Sequence, residues 1–67
     1  MRINPHRLEL AMARAKMSAT EVCKTADVTP LNFQKIKNGS RNPRPATVGR
    51  LAEALGCEIE YLLEQTA

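Results

Sequence analysis

Aromatic residues are nearly missing from this 67-residue chain, which has no tryptophan, one phenylalanine and one tyrosine. Proteins that hold single-stranded nucleic acid stack its bases on aromatic platforms, and Phe33 with Tyr61 are too few to build one. Cysteine is scarce too. Cys23 and Cys57 cannot form a disulfide framework and lack the paired spacing used for zinc or redox work, so they read as small core residues. His6 is the one histidine, and with no ligand cluster around it neither a metal nor another cofactor is expected. No apolar run approaches the roughly 18 residues of a membrane span. A signal-peptide stretch is also lacking, which makes the cytoplasm the expected compartment. No serine or cysteine has a base and an orienting acid at a recognisable spacing, so the chain reads as something other than an enzyme.

Charge of one sign is missing from a long segment. Between Lys35 and Arg50 there is no acid at all. Residues 1–50 carry all ten basic side chains against Glu9, Glu21 and Asp27, a balance of +7. Residues 51–67 carry Glu53, Glu58, Glu60 and Glu64 with no base, a balance of −4. One region is suited to a polyanion, and the other is left for folding or self-association.

What is present reads as five short helices in one domain, 1–67, with no convincing strand. Asn4-Pro5 is a cap followed by proline at the first helical position, and Leu8, Met12 and Ala15 give that helix an apolar stripe to about Lys16. Ser18-Ala19-Thr20-Glu21 is a capping box, with Met17 and Val22 placed as its hydrophobic staple. This second helix presents the small residues Cys23 and Ala26 inward and ends near Asp27, with Val28 plugging the turn. Thr29-Pro30 starts the third helix, Phe33 and Ile36 anchor it, and Asn38-Gly39 stops it. A loop with two prolines that block helix propagation covers residues 40–45. A fourth helix follows at about 45–55, with Gly49 explained by a closely packed neighbour, and a fifth at 58–64.

Two short helices joined by a tight turn are common. Here small residues permit close crossing, and a polar third helix is flanked by bases, which together describe a helix-turn-helix at residues 18–37. Met17 to Gly39, continued through Pro43, Leu51-Ala52-Glu53-Ala54-Leu55-Gly56 and Glu58 to Leu63, resembles the Cro and phage-repressor (XRE-type) family of transcriptional regulators. The resemblance implies an all-α, compact five-helix bundle of the lambda-repressor-like type. It implies binding to double-stranded DNA in a bacterial or phage setting, as a homodimer on a two-fold operator, with repression the simplest mechanism.

Carried over by position, the resemblance places base contacts at Pro30, Leu31 and Lys35, with Asn32 and Gln34 between them as polar contacts. It places backbone contacts at Ser18, Ala19, Thr29 and Asn38. Lys37, Arg41 and Arg44 are further candidates for the DNA backbone, and Arg41 as a phosphate contact would strengthen binding to every sequence alike. Tyr61 and Leu62 fall where the family often forms its dimer contact. The chain departs from the family pattern at Ala19, where glutamine is frequent, and at Asp27, where glycine is usual. It departs again at Met12 and Lys37, where many members have a paired arginine and glutamate. Two alternatives stay open on the residues alone: an antitoxin-type module that binds a partner protein such as a toxin, and an architectural factor of a mobile element.

Overall fold

Local signals decide where the first three helices begin. In the computed structural model, which describes residues 2–63, α1 spans Pro5–Ala15, α2 Ala19–Ala26, α3 Pro30–Lys37, α4 Pro45–Leu55 and α5 Ile59–Leu62. Asn4 Oδ1 accepts from the N–H groups of His6 and Arg7 at 2.9 and 3.3 Å. The capping box is closed at both ends: Ser18 Oγ accepts from the Glu21 N–H at 3.2 Å, and Glu21 Oε1 accepts from the Ser18 N–H at 3.1 Å. Thr29 Oγ1 accepts from the Asn32 N–H at 3.2 Å. Each of these bonds satisfies a first-turn donor that the helix itself leaves without a partner. Of the two prolines expected to block propagation, Pro45 instead opens α4 at its first position, where a missing N–H is harmless. Pro43 is buried beside it.

Left-handed residues end α1, α2 and α4. Gly56 adopts φ 67° after α4, and Gly39 follows α3 at φ 79°. Asp27 holds the turn between α2 and α3 at φ 58°, a conformation that asparagine and aspartate visit more readily than other side chains. Lys16 does the same after α1 at φ 56°, without such local help.

The core gathers one face from each helix. Phe33 and Ile36 of α3, Val22, Cys23 and Ala26 of α2 and Val28 of the turn are all buried, as the spacing requires. So are Val48, Leu51, Ala52 and Leu55 of α4. On α1 the buried pair is Leu8 and Ala11, while Met12 and Ala15 pack at the margin. The apolar stripe is thus rotated toward Ala11, whose small side chain lets α1 approach α4 and α5. Ile3, outside any helix, joins the core through an isolated antiparallel bridge to Leu63. Beside it the Asn4 N–H donates to the Leu62 carbonyl at 2.8 Å, and the Arg7 guanidinium donates to the Tyr61 carbonyl at 3.2 Å. These bonds clasp the chain's first described residues to α5, which is one turn long and shorter than the segment expected at 58–64. Residue 64 of that expectation lies outside the described residues.

Gly49 has no packing reason to be glycine. A methyl group built on it meets no atom within 4 Å, so the expected close neighbour is not there. Glycine inside a helix costs about 1 kcal/mol relative to alanine through lost backbone freedom. Gly49→Ala is therefore expected to raise stability by about 1 kcal/mol, seen in thermal melts as a shift of roughly 4–8 °C for a domain of this size. A drop instead would mean that α4 is crowded at that position.

Candidate nucleic-acid interface

The two halves of α3 face opposite environments because Phe33 and Ile36, three apart, pin one side of it to the core. What remains outward is Pro30, Leu31, Gln34 and Lys35, all exposed. Leu31 keeps 63% of its surface in solvent, an unusual position for a leucine that has an apolar core within a turn of it. Asn32 is half-buried at the third position of the helix. Four of the base-contact candidates, Pro30, Leu31, Gln34 and Lys35, are thus exposed on an eight-residue helix, with Asn32 on the flank toward the following loop.

The backbone-contact candidates frame that face. Ser18, Ala19, Thr29 and Asn38 are exposed at the ends of α2 and α3. The hydroxyl oxygens of Ser18 and Thr29 are engaged as acceptors in their caps. Each keeps its own O–H to donate to an acceptor such as a phosphate oxygen. Around them, first-turn N–H groups and the positive ends of two helix dipoles favour an anion. Arg41 and Arg44 are exposed on the segment between α3 and α4. Together with Asn42 and Thr47 they line a polar hollow that reaches α3 at Asn32.

Arg41 is not a loose loop charge. Its guanidinium donates to Asn32 Oδ1 at 3.0 Å. Its backbone N–H and that of Ser40 both donate to the Lys35 carbonyl, at 3.3 and 2.9 Å, which folds the start of the loop back against α3. Both residues are legible as candidates in the sequence, but their contact is not, because it spans nine positions and depends on the fold of the loop.

Lys37 is placed differently from the other candidates. It is half-buried, and its Nζ lies 3.4 Å from Glu9 Oε1 on α1. The arginine–glutamate pair expected to be lost at positions 12 and 37 is replaced by one with its signs exchanged, three residues earlier on α1. With both side chains partly in water, such a pair contributes at most about 1 kcal/mol.

Of the two dimer candidates, Leu62 requires a correction. Its surface is 0% exposed within a single chain, because α5 turns it into the core under Ile3 and α4. It has no surface to share with a second copy. Tyr61 is half-buried, and its ring carries the guanidinium groups of Arg7 and Arg14, each 5.2 Å from the ring centre. These cation–π contacts tie α1 to α5.

The cysteines occupy core or marginal positions, Cys23 buried and Cys57 half-buried, and both are free thiols. Burial raises the pKa of each; at Cys57 the charge of Arg14 opposes that rise without cancelling it. The folded chain therefore holds these protons more firmly than the unfolded chain does. Stability from this source is complete below about pH 9, the ordinary thiol value, and is lost as pH rises through the folded values. The expected result is that Cys23→Ala flattens the alkaline loss of stability seen in urea titrations above about pH 9. A loss unchanged by the substitution would assign it to other groups. Among the described residues no group of three or more His, Cys, Asp or Glu side chains could hold a metal ion. No helix among them is long and apolar enough to cross a membrane.

A capped helix, a tight turn around a buried valine, and a second helix with an exposed polar face beside a basic loop define a helix-turn-helix DNA-binding domain. The chain belongs to the family of Cro/C1-type HTH DNA-binding domains, which matches it over residues 7–67. Comparison with curated proteins found no match. Among solved structures, the chain is similar to part of PhpD with cadmium complexed with hydroethylphosphonate, and to part of native PhpD with cadmium atoms. Each match has a TM-score of 0.82 at 27% identity. A mutant of hydroxyethylphosphonate dioxygenase matches with a TM-score of 0.83, also at 27% identity. All of this chain is covered in each case, but it spans only 14% of each of those chains. The likeness is to one domain-sized part of larger proteins and brings none of their chemistry with it.

Proposed function

We propose that this chain is a sequence-specific regulator of transcription that sets α3 into the major groove of double-stranded DNA. The observation that carries the reading is the exposed row of Leu31, Gln34 and Lys35 on a helix whose opposite side is locked into the core. A major groove about 12 Å wide admits one α-helix in this way. Lys35 is suited to donate to guanine O6 or N7, and Leu31 to pack on a thymine methyl. Ser18, Thr29, Asn38 and Arg44 are suited to grip the flanking phosphates, which fixes register without reading sequence.

On this reading the protein acts in the cytoplasm of a bacterium or on a phage genome. Two copies sit on half-sites about 34 Å apart, and repression follows from occupying a promoter. Selection from a random duplex pool tests it, with binding of the winners measured against salt. A two-fold symmetric motif and a steep salt slope are the expected result. Weak binding at low salt only, with no enriched motif, would contradict the regulator. A partner protein that co-purifies would then point to an antitoxin-type module.

A further inference from the structure

We infer that Arg41 is a positioning residue that fixes which way the Asn32 side-chain amide faces, and so sets the base preference at one operator position. The inference rests on the proposed placement of α3 in the major groove. Both ends of the pair are anchored by the backbone. Asn32 is held at the start of α3 by its N–H bond to Thr29 Oγ1, at 3.2 Å. Arg41 is held by the bonds from Ser40 and Arg41 to the Lys35 carbonyl. Between them runs the 3.0 Å bond from the guanidinium to Asn32 Oδ1.

A guanidinium has donors and no acceptor. The amide oxygen of Asn32 must therefore be the atom that faces Arg41, and the –NH2 group is turned away from it. An asparagine free to flip can offer a base either its oxygen or its two donors. Held by Arg41, Asn32 offers donors. In the major groove these match the acceptors of guanine (N7, O6), adenine (N7) and thymine (O4), but not cytosine, whose edge presents only its N4 amino donor. In the free protein the bond is exposed and weak. Docking on DNA excludes water from it, which strengthens the bond at the moment the base is read.

The substitution Arg41→Met therefore does more than remove a charge. Selection from a random duplex pool is carried out with the wild type, Asn32→Ala, Arg41→Met, the double variant and Lys35→Ala. Both substituted side chains of the pair lie outside the core, and circular dichroism verifies the fold. The expected result is a position at which the wild type rejects cytosine. Asn32→Ala loses that rejection, and Arg41→Met admits cytosine about tenfold more readily at the same position while preferences elsewhere persist. The double variant matches Asn32→Ala there. If Arg41→Met weakens every duplex equally and still rejects cytosine, while Lys35→Ala shifts preference at its own position, the inference fails and the placement of α3 stands. If no variant shifts any preference, the placement of α3 fails and the inference falls with it.

Discussion

Leu62→Ala is expected to lower the stability of the single chain by about 2–5 kcal/mol, the range for truncating a fully buried leucine. Leu62 lies at 0% exposure on a helix only one turn long, so its neighbours cannot collapse into the gap without giving up the clasp to Ile3 and Asn4. In a domain of this size each kcal/mol moves the melting temperature by about 4–8 °C. At roughly 0.05–0.15 kcal/mol per residue a domain of this size holds only about 3–10 kcal/mol in total, so the variant is expected to be partly unfolded at 37 °C. The loss should be the same at protein concentrations tenfold apart, because the contacts removed lie within one chain. A destabilisation that disappears on concentration would return Leu62 to a subunit interface and overturn its placement in the core.

Lys35→Ala is expected to cost about 1–3 kcal/mol of binding to the selected duplex and to relax its preference at one base position. Lys35 lies on the exposed face of α3 in its last turn, one turn after Leu31. A lysine over a phosphate would give a different pattern, a similar loss on every duplex and a salt slope smaller by about one. Gel-shift titrations on the selected duplex, on single-base variants and on a scrambled duplex separate the two. Equal losses on all of them would mean that α3 lies across the backbone instead of in the groove.

The parts of this fold that were legible in the sequence are those set by residues three or four apart. The cap of α1, the capping box of α2 and the Thr29-Pro30 start of α3 all carry their own partners, so they could be read without knowing the tertiary structure. The inward pairing of Phe33 with Ile36 was readable for the same reason. It also settles which face of α3 is outward, and hence which candidate residues stand together.

What was not legible depends on contacts between distant segments. Glu9 meets Lys37 across two helices, and no spacing along either helix foretells it. Arg41 reaches Asn32 only because the loop doubles back onto the Lys35 carbonyl. Ile3 precedes every helix signal, and only the bridge to Leu63 brings it to the core. Between Tyr61 and Leu62 the sequence offered two neighbouring apolar residues and a helix too short to show a period. The inward choice of Leu62 follows from how α5 docks, with the two arginines of α1 holding Tyr61 at the margin. At Lys16 the left-handed turn is imposed by the path from α1 to α2, and the residue type gives no sign of it.

On the proposed function, the face made by α3 and the following basic loop is the surface that meets DNA. Titrating the 15N-labelled protein with its selected duplex and following the backbone amide signals tests it most directly. The largest shifts are expected at residues 18–20, 29–35 and 38–44, and added salt is expected to reverse them. Shifts confined to α1 and α5 around Tyr61, with α3 unmoved, would contradict it.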